Sequence, residues 1–468
     1  MPPRKSPPRF RQSPTAKPTA SQSGKGQRSA QVPRGNPEIT IERLSHEVRG
    51  IARHQGKTLF VDNALPGEKV RIRYTASRAK FDEAVAIEIL EPADNRRTPP
   101  CPYAETCGGC ALQHMAPEAQ IEAKQQILLE QLQRFARAEP QTLLPPLAGH
   151  PLGYRRKARL GVRYVKPKQG GKPQLVLGFR EKGSNDLTDI EQCPVLPADF
   201  SALIPALRTV VETSEGRRSI SHIEVAIGDD ATALVIRHLQ PLSERDRQHW
   251  LDFVQVHQLH LYLQGGDDTE KAWPATGPDR LVYELPAFGV KLQFHPQDFI
   301  QVNLEINRLM VDRALELLDV QAEDRVLDLF CGLGNFTLPL ATRAREVVGV
   351  EGLLALTERA RENAEANALH NIQFQAADLT GDFTRSPWAR GGFDKILLDP
   401  PRTGALEVVR NISHFNAARI VYVSCNPATL ARDAAELIQR GYRLSKAGVM
   451  DMFPHTTHVE SIALFERQ

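Results

Sequence analysis

From about residue 291 onward the chain alternates short β-branched runs with stretches of helical spacing, and this restricts the fold more than any other feature. Ile306, Leu309, Met310, Ala314, Leu317 and Leu318 recur at the three- and four-residue spacing of one helix face. Strand-like runs follow at Arg325–Leu329, Val347–Val350, Ile372–Phe374, Lys395–Leu398 and Ile420–Val423. Strands separated by helical crossovers build a parallel sheet covered on both faces, the α/β class. Such sheets take ligands at the carboxyl ends of their strands, so the residues just after each run are the candidates for chemistry.

The first of these ends reads Val326-Leu-Asp-Leu-Phe-Cys-Gly-Leu-Gly-Asn-Phe336. Gly332 and Gly334 allow a tight turn and close approach of a ligand to the backbone, and Asp328 lies at the end of the strand. Glu351 follows the next strand, where a carboxylate accepts hydrogen bonds from a ribose diol, and Asp378 follows the third. A dinucleotide fold calls for a third glycine where Thr337 stands. The set therefore points to an adenosine-bearing ligand other than NAD, with an ordinary acid-capped turn as the bland alternative.

Two later ends lie side by side in the expected sheet. Ile396-Leu-Leu-Asp-Pro-Pro-Arg402 ends in Asp399, and its two prolines stiffen the chain that holds the carboxylate. Ile420-Val-Tyr-Val-Ser-Cys-Asn-Pro427 places Cys425 just before a helix, where the positive end of the helix dipole favours thiolate.

A further motif is Cys101-x5-Cys107-x2-Cys110, with Cys193 distant in the chain inside Glu-Gln-Cys-Pro. Three sulfurs within ten residues, two of them separated by Gly108 and Gly109, suit a metal loop completed by the fourth thiolate. The spacing matches neither paired zinc knuckles nor ferredoxin patterns, so zinc and an iron–sulfur cluster both remain open, as do unliganded buried thiols. Six cysteines in 468 residues are too few for a disulfide scaffold, and most of them want a free thiolate, so a reducing compartment, the cytoplasm, is expected. No apolar run approaches the roughly 18 residues of a membrane span.

The N-terminal part differs. Residues 1–37 hold eight basic side chains, no acid and almost no apolar residue, so the net charge of +3 hides −5 on the remainder. Such a segment cannot bury enough surface to offset ordering, and a disordered arm is expected, either solubilising or attracting RNA phosphates. Its prolines argue against a transit peptide. Ile39–Leu44, Thr58–Val61, Lys69–Tyr74 and Ala84–Ile89 then read as strands of a small barrel bearing Lys57, Lys69, Arg71, Arg73, Arg78 and Lys80. Residues 98–290 are mixed, with a helix over 118–136 and strands near 158–164, 175–179, 222–226 and 234–237 whose pairing the sequence leaves open.

The four cysteines, Asp-Leu-Phe-Cys-Gly-Leu-Gly-Asn-Phe, Leu-Asp-Pro-Pro-Arg, Ser-Cys-Asn-Pro and His458-Val-Glu-Ser461, in this order, resemble the RNA uracil-5-methyltransferase family, and its 23S ribosomal RNA branch in particular. The likeness runs from about residue 38 to the C-terminus. It implies a TRAM domain, an OB-like RNA-binding barrel, over 38–97; a central domain over 98–290 with Cys101, Cys107, Cys110 and Cys193 as ligands of a [4Fe-4S] cluster; and a Rossmann-like methyltransferase domain over 291–468. By the same resemblance, Gln301, Phe330, Asn335, Glu351, Asp378 and Asp399 contact S-adenosylmethionine. Cys425 is the nucleophile, Glu460 the general base, and Phe299 meets the target base, whose polar edge Asp399 also orients. Cys331 is structural.

That chemistry fits the residues. Carbon 5 of uracil is a feeble nucleophile until a thiolate adds to carbon 6, and a base must then remove the carbon-5 proton. The implied substrate is uridine 1939 of 23S rRNA, extruded from its stack. Another 23S uridine and the tRNA T-loop are the alternatives within the family. Outside it stand a non-catalytic iron–sulfur RNA-binding protein and an NAD-dependent oxidoreductase, the latter disfavoured by Thr337. No feature calls for an oligomer, a protein partner or a membrane.

Overall fold

A computed structural model describes residues 32–45, 47–166, 171–266 and 272–468. The basic arm, through residue 31, lies outside the described residues. The described chain forms two compact units, residues 32–43 with 49–91, and residues 44–48 with 92–468.

The strands of the first unit are β1 (Glu38–Thr40), β2 (Arg43–Leu44), β3 (Gly50–His54), β4 (Lys57–Asp62), β5 (Lys69–Ser77) and β6 (Phe81–Glu91), in the order β1-β5-β6-β4-β3-β2. Alternation sends Val70, Ile72 and Tyr74 of β5 into one core with Leu59, Val61 and Ala84. The basic side chains of this surface are mostly paired: Lys57 with Asp82 at 3.1 Å, Lys69 and Arg71 with Glu38 at 3.1 and 3.0 Å, and Arg78 with Glu83 at 4.0 Å. β3 escapes sequence reading because Arg53 and His54 interrupt a short apolar run.

In the second unit, α1 (Pro117–Gln131) continues through a π turn to Ala136, and β7 (Thr142–Leu143) follows. A mixed sheet comprises β8 (Lys157–Val165), β9 (Gln174–Arg180), β10 (Leu187–Asp189), β11 (Ile220–Ile227), β12 (Thr232–His238), β13 (His260–Gly265) and β14 (Trp273–Pro274), ordered β10-β9-β8-β11-β12-β13-β14. Helices α2 (Ala198–Ser201), α3 (Ile204–Thr213) and α4 (Glu244–Val256) accompany it, and Leu207, Val211 and Trp250 share its core with Leu160 and Ile223. The hairpin β15 (Leu281–Leu285) and β16 (Val290–Phe294) leads to α5 (Leu304–Leu318), whose cap Asn303 accepts the Ile306 amide at 3.2 Å.

The expected alternation then appears in full: β17 (Arg325–Leu329), α6 (Thr337–Ala341), β18 (Glu346–Glu351), α7 (Leu354–Ala366), β19 (Ile372–Ala376), β20 (Lys395–Leu398), α8 (Leu406–Arg410), β21 (Arg419–Ser424), α9 (Pro427–Gln439), β22 (Tyr442–Met450) and β23 (Glu460–Arg467). The sheet order is β19-β18-β17-β20-β21-β23-β22-β7. β17 through β21 are parallel, whereas β23 runs antiparallel between β21 and β22. Chain order reverses between β17 and β20, which opens a crevice at their carboxyl ends. Ile396, Leu397 and Leu398 are wholly buried, and each contributes about 1.5–3 kcal/mol by leaving water. β7 pairs with β22, and α1 packs beside it, so residues from before the mixed sheet complete the catalytic sheet. Among the described residues no helix is long and apolar enough to cross a membrane.

Candidate active site

At the crevice lies a cavity of about 670 Å³. Phe299, Gln301, Phe330, Asn335, Glu351, Asp378, Asp399, Cys425 and Glu460 all line it, so the residues to which the resemblance gives a cofactor, base-contacting or catalytic role lie around one cavity, whereas Asp328 and Gly334 are not in its lining.

One half is built around the glycine turn. Gly332 and Gly334 have φ of +55° and +101°, and a Cβ at Gly334 would stand 2.4 Å from Leu338 Cδ1. Phe330 also adopts a positive φ of 66°, stabilised where its amide donates to Val350 O at 2.9 Å. The Gly332 and Leu353 amides donate to the Glu351 carboxylate at 3.2 and 3.0 Å, which fixes both oxygens at the end of β18 while leaving lone pairs for a diol. Asn335 exchanges hydrogen bonds with Asn307 at 2.9 Å in each direction and accepts one from Tyr283 at 2.9 Å. Asp378 accepts the Thr380 amide and hydroxyl, and these bonds hold its carboxyl below the usual range. Thr337, at the absent third glycine, donates to Asp328 at 2.5 Å.

The other half is set by strand register. Leu398 faces Tyr422 in the parallel pair β20–β21, so Asp399 and Cys425 leave neighbouring strand ends on the same edge. Ser424 faces Ser461 in the antiparallel pair β21–β23, so Cys425 and Glu460 come one step further out at the same end. Asn426 caps α9 by accepting the Ala428 amide at 3.1 Å and donates to Arg402 O at 3.1 Å, tying the Asp399–Arg402 turn to the helix that follows Cys425. Phe299, 74% exposed, stands at the cavity wall as a free aromatic face.

The electrostatics differ from the sequence expectation in one respect. Burial, with Glu460 and Asp399 nearby, pushes the Cys425 thiol up to about 11 and outweighs the Arg402 charge. Burial, reinforced by Asp399, likewise lifts Glu460 to about 8, against Arg402 and Lys124, while burial lifts Asp399 to about 7.

Sequence reasoning gave no role to Arg402 or His458, although both stand inside the quoted motifs. They line the cavity, and Arg402 Nη2 donates to His458 Nδ1 at 3.1 Å. Asn307, Tyr283 and Phe453 carried no signal, because their part depends on packing between distant segments.

The cysteine quartet sits elsewhere in the same unit. The loop from Cys101 to Cys110 docks on the end of β9: the Gly108 amide donates to Arg180 O at 2.8 Å, Lys182 N to Thr106 O at 2.9 Å, and Glu191 N to the Tyr103 hydroxyl at 3.0 Å. A Cβ at Gly108 would lie 2.9 Å from that Arg180 oxygen, so only glycine allows this approach. Cys110 packs into the core that contains Cys193. Burial raises all four thiols, Cys110 to about 11 and Cys193 to about 12, and Cys101 and Cys110 add to the rise at Cys193. Among the described residues no three His, Cys, Asp or Glu side chains close around a single metal ion.

A glycine turn, a carboxylate at the end of β18 and a thiol at the end of β21 around one switch-point cavity mark the class as a ligand-binding α/β domain, and the comparisons say which. Residues 117–468 match the tRNA (Uracil-5-)-methyltransferase family model, and residues 37–87 match the TRAM domain. The chain is 54% identical over 442 residues to the 23S rRNA (uracil(1939)-C(5))-methyltransferase RlmD of Alcanivorax borkumensis, covering 94% of this chain and 98% of that protein. It is 52% identical to the protein of the same name from Alkalilimnicola ehrlichii, covering 95% and 99%. The crystal structure of Pyrococcus abyssi tRNA (uracil-54, C5)-methyltransferase in complex with S-adenosyl-L-homocysteine shares the fold, with a TM-score of 0.69 at 24% identity over 92% of this chain and 100% of that one. The chain belongs to the tRNA (Uracil-5-)-methyltransferase family, and its first unit is a TRAM domain.

Proposed function

We propose that this protein methylates carbon 5 of uridine 1939 in bacterial 23S rRNA, using S-adenosylmethionine. The observation that carries the chemistry is the meeting of Cys425 and Glu460 at adjacent strand ends beside the Glu351 pocket. The target nucleotide rests on the relatives, which are named for it and match along almost their whole length.

In this reading Glu351 accepts hydrogen bonds from the ribose of the cofactor, Asn335, Gln301, Phe330 and Asp378 complete its pocket, and the cofactor supplies an electrophilic methyl group. Phe299 stacks on the extruded uracil, and Asp399 hydrogen-bonds its polar edge. Cys425 loses its proton to solvent water and its sulfur adds to carbon 6; the electrons of the carbon 5–carbon 6 double bond move onto oxygen 4, making carbon 5 nucleophilic. Once carbon 5 bears the methyl group, the Glu460 carboxylate takes the carbon-5 proton. The released pair restores the double bond as the carbon 6–sulfur bond breaks and thiolate returns to Cys425. The neighbouring acids make the free thiol a weak nucleophile, so the positive charge of bound cofactor favours both the thiolate and the Glu460 carboxylate.

The donor set fits a [4Fe-4S] cluster on Cys101, Cys107, Cys110 and Cys193. All four are sulfur, they belong to loops docked on one another, and their burial disfavours thiolates that lack a bound cation. The division of labour is then RNA capture by residues 38–97, a cluster-bearing middle over 98–290 and catalysis by 291–468, in a cytoplasmic enzyme acting as a monomer.

The test is to map 5-methyluridine in 23S rRNA from cells lacking the gene, complemented with the wild type or Cys425→Ala. Loss of the mark at 1939 alone, restored only by the wild type, is expected. A mark that persists, or that Cys425→Ala restores, would overturn the reading.

A further inference from the structure

The loop joining β22 to β23, residues 451–459, forms the cavity wall through Phe453 and His458 and delivers the chain to Glu460. Its two ends are fixed by pairing of Met450 with Glu460. Its middle is held by polar groups that the reaction does not use, on the helix following the cysteine loop. Gln120 and Lys124 stand one helical turn apart on the same face of α1 and are both fully buried.

Gln120 Oε1 accepts the His455 amide at 2.8 Å, and Gln120 Nε2 lies 3.1 Å from His455 Nδ1. The same Nε2 reaches the carbonyls of Leu112 and Met115 at 3.0 and 2.8 Å, which locks the glutamine's orientation. Lys124 Nζ pairs with Asp451 at 2.7 Å and donates to Phe453 O at 3.0 Å. From the other side the Ala111 and Leu112 amides, next after Cys110, donate to His455 O at 2.8 and 2.9 Å, and the Tyr154 hydroxyl to Pro454 O at 3.1 Å. His455 itself is buried at φ +64°, a conformation a histidine keeps only when its surroundings enforce it. A buried lysine–carboxylate pair is a poor source of stability, because desolvation offsets the attraction, so its use here points to a requirement for one loop geometry.

We propose that Gln120 and Lys124 are positioning residues for proton abstraction: by clamping residues 451–455 they hold the loop that aims Glu460 at carbon 5. The inference rests on the assignment of Glu460 as base. It separates the two halves of the reaction, because addition and methyl transfer need Cys425, whereas release needs Glu460.

The experiment compares two substrates on the full-length protein as purified. With RNA carrying 5-fluorouridine at the target, carbon 5 has no removable proton after methyl transfer, so the covalent protein–RNA species reports only the first half. With uridine RNA, turnover needs both halves. For Gln120→Leu, turnover is expected to fall about tenfold or more while fluoro-RNA trapping changes less than about threefold, and methylated covalent species accumulate on uridine RNA. Lys124→Met combined with Asp451→Leu, which leaves no unpaired buried charge, serves as a second probe should Gln120→Leu fail to fold. Equal losses in both assays, or unchanged turnover, would overturn the clamp. Absence of trapping by the wild type would instead overturn the Cys425 mechanism beneath it.

Discussion

The hydroxyl of Thr337, the first residue of α6, donates a 2.5 Å hydrogen bond to the carboxylate of Asp328, which lies inside β17 and is fully buried. This bond closes the turn that carries Gly332 and Gly334, in the place where a dinucleotide fold has a third glycine. Burial, with Asp399 and Glu351 nearby, pushes Asp328 up to about 8 even though Thr337 opposes the rise, and Asp328 Oδ1 has no partner among the described residues. The glycine turn thus has a buried side-chain bond beneath its backbone bonds.

Thr337→Val keeps the shape and removes that bond. It should lower stability by about 1–3 kcal/mol, the cost of leaving a buried polar group unsatisfied, and weaken S-adenosylhomocysteine binding. Denaturant unfolding and calorimetric titration measure the two, and wild-type values in both would show that Thr337 is dispensable.

The two glycines of the turn are not equivalent. Gly332→Ala meets no atom within 4 Å and bears only the cost of a left-handed alanine, about 1–2 kcal/mol. Gly334→Ala adds a 2.4 Å clash with Leu338 at φ +101°. S-adenosylhomocysteine affinity should therefore fall at least about tenfold further for Gly334→Ala; equal affinities would contradict the geometry.

Glu460 binds its proton up to about pH 8 in the free site. A carboxyl raised in this way is protonated below that pH and cannot accept the carbon-5 proton there. Breakdown of the covalent adduct, followed after a single methyl transfer, should therefore speed up as pH rises from 6 and level off above about 8. Glu460→Gln should trap the adduct at every pH. A breakdown rate that ignores pH, or a Gln variant that turns over, would remove Glu460 from its role.

For the cysteine quartet, protein purified without air should contain iron and acid-labile sulfide at about four each per chain. Cys193→Ser should lower both and bleach the visible absorption. Because the Ala111 and Leu112 amides hold His455, cluster loss should also speed hydrogen exchange in residues 451–459. Stoichiometric zinc without sulfide would refute the cluster.

Local patterns determined a good deal on their own. The β-branched runs from 325 to 424 announced a parallel sheet because strands buried on both faces must be apolar throughout, and β17 to β21 appear where those runs stand. The glycine turn, Asp399 and Cys425 were legible because a doubly wound sheet puts its chemistry at strand ends. Asp399 and Cys425 were already expected on neighbouring strand ends, but tertiary structure alone decided that β23 lies antiparallel beside β21 and brings Glu460 to the same edge: that register is set by cross-strand burial over residues far apart in the chain. It also decided the protonation of the site, since a helix start suggests a thiolate but the burial and neighbouring acids that raise Cys425 arise only on folding. The hold of Gln120 and Lys124 on residues 451–455 spans more than 300 positions, and no periodicity in the sequence encodes a contact of that kind.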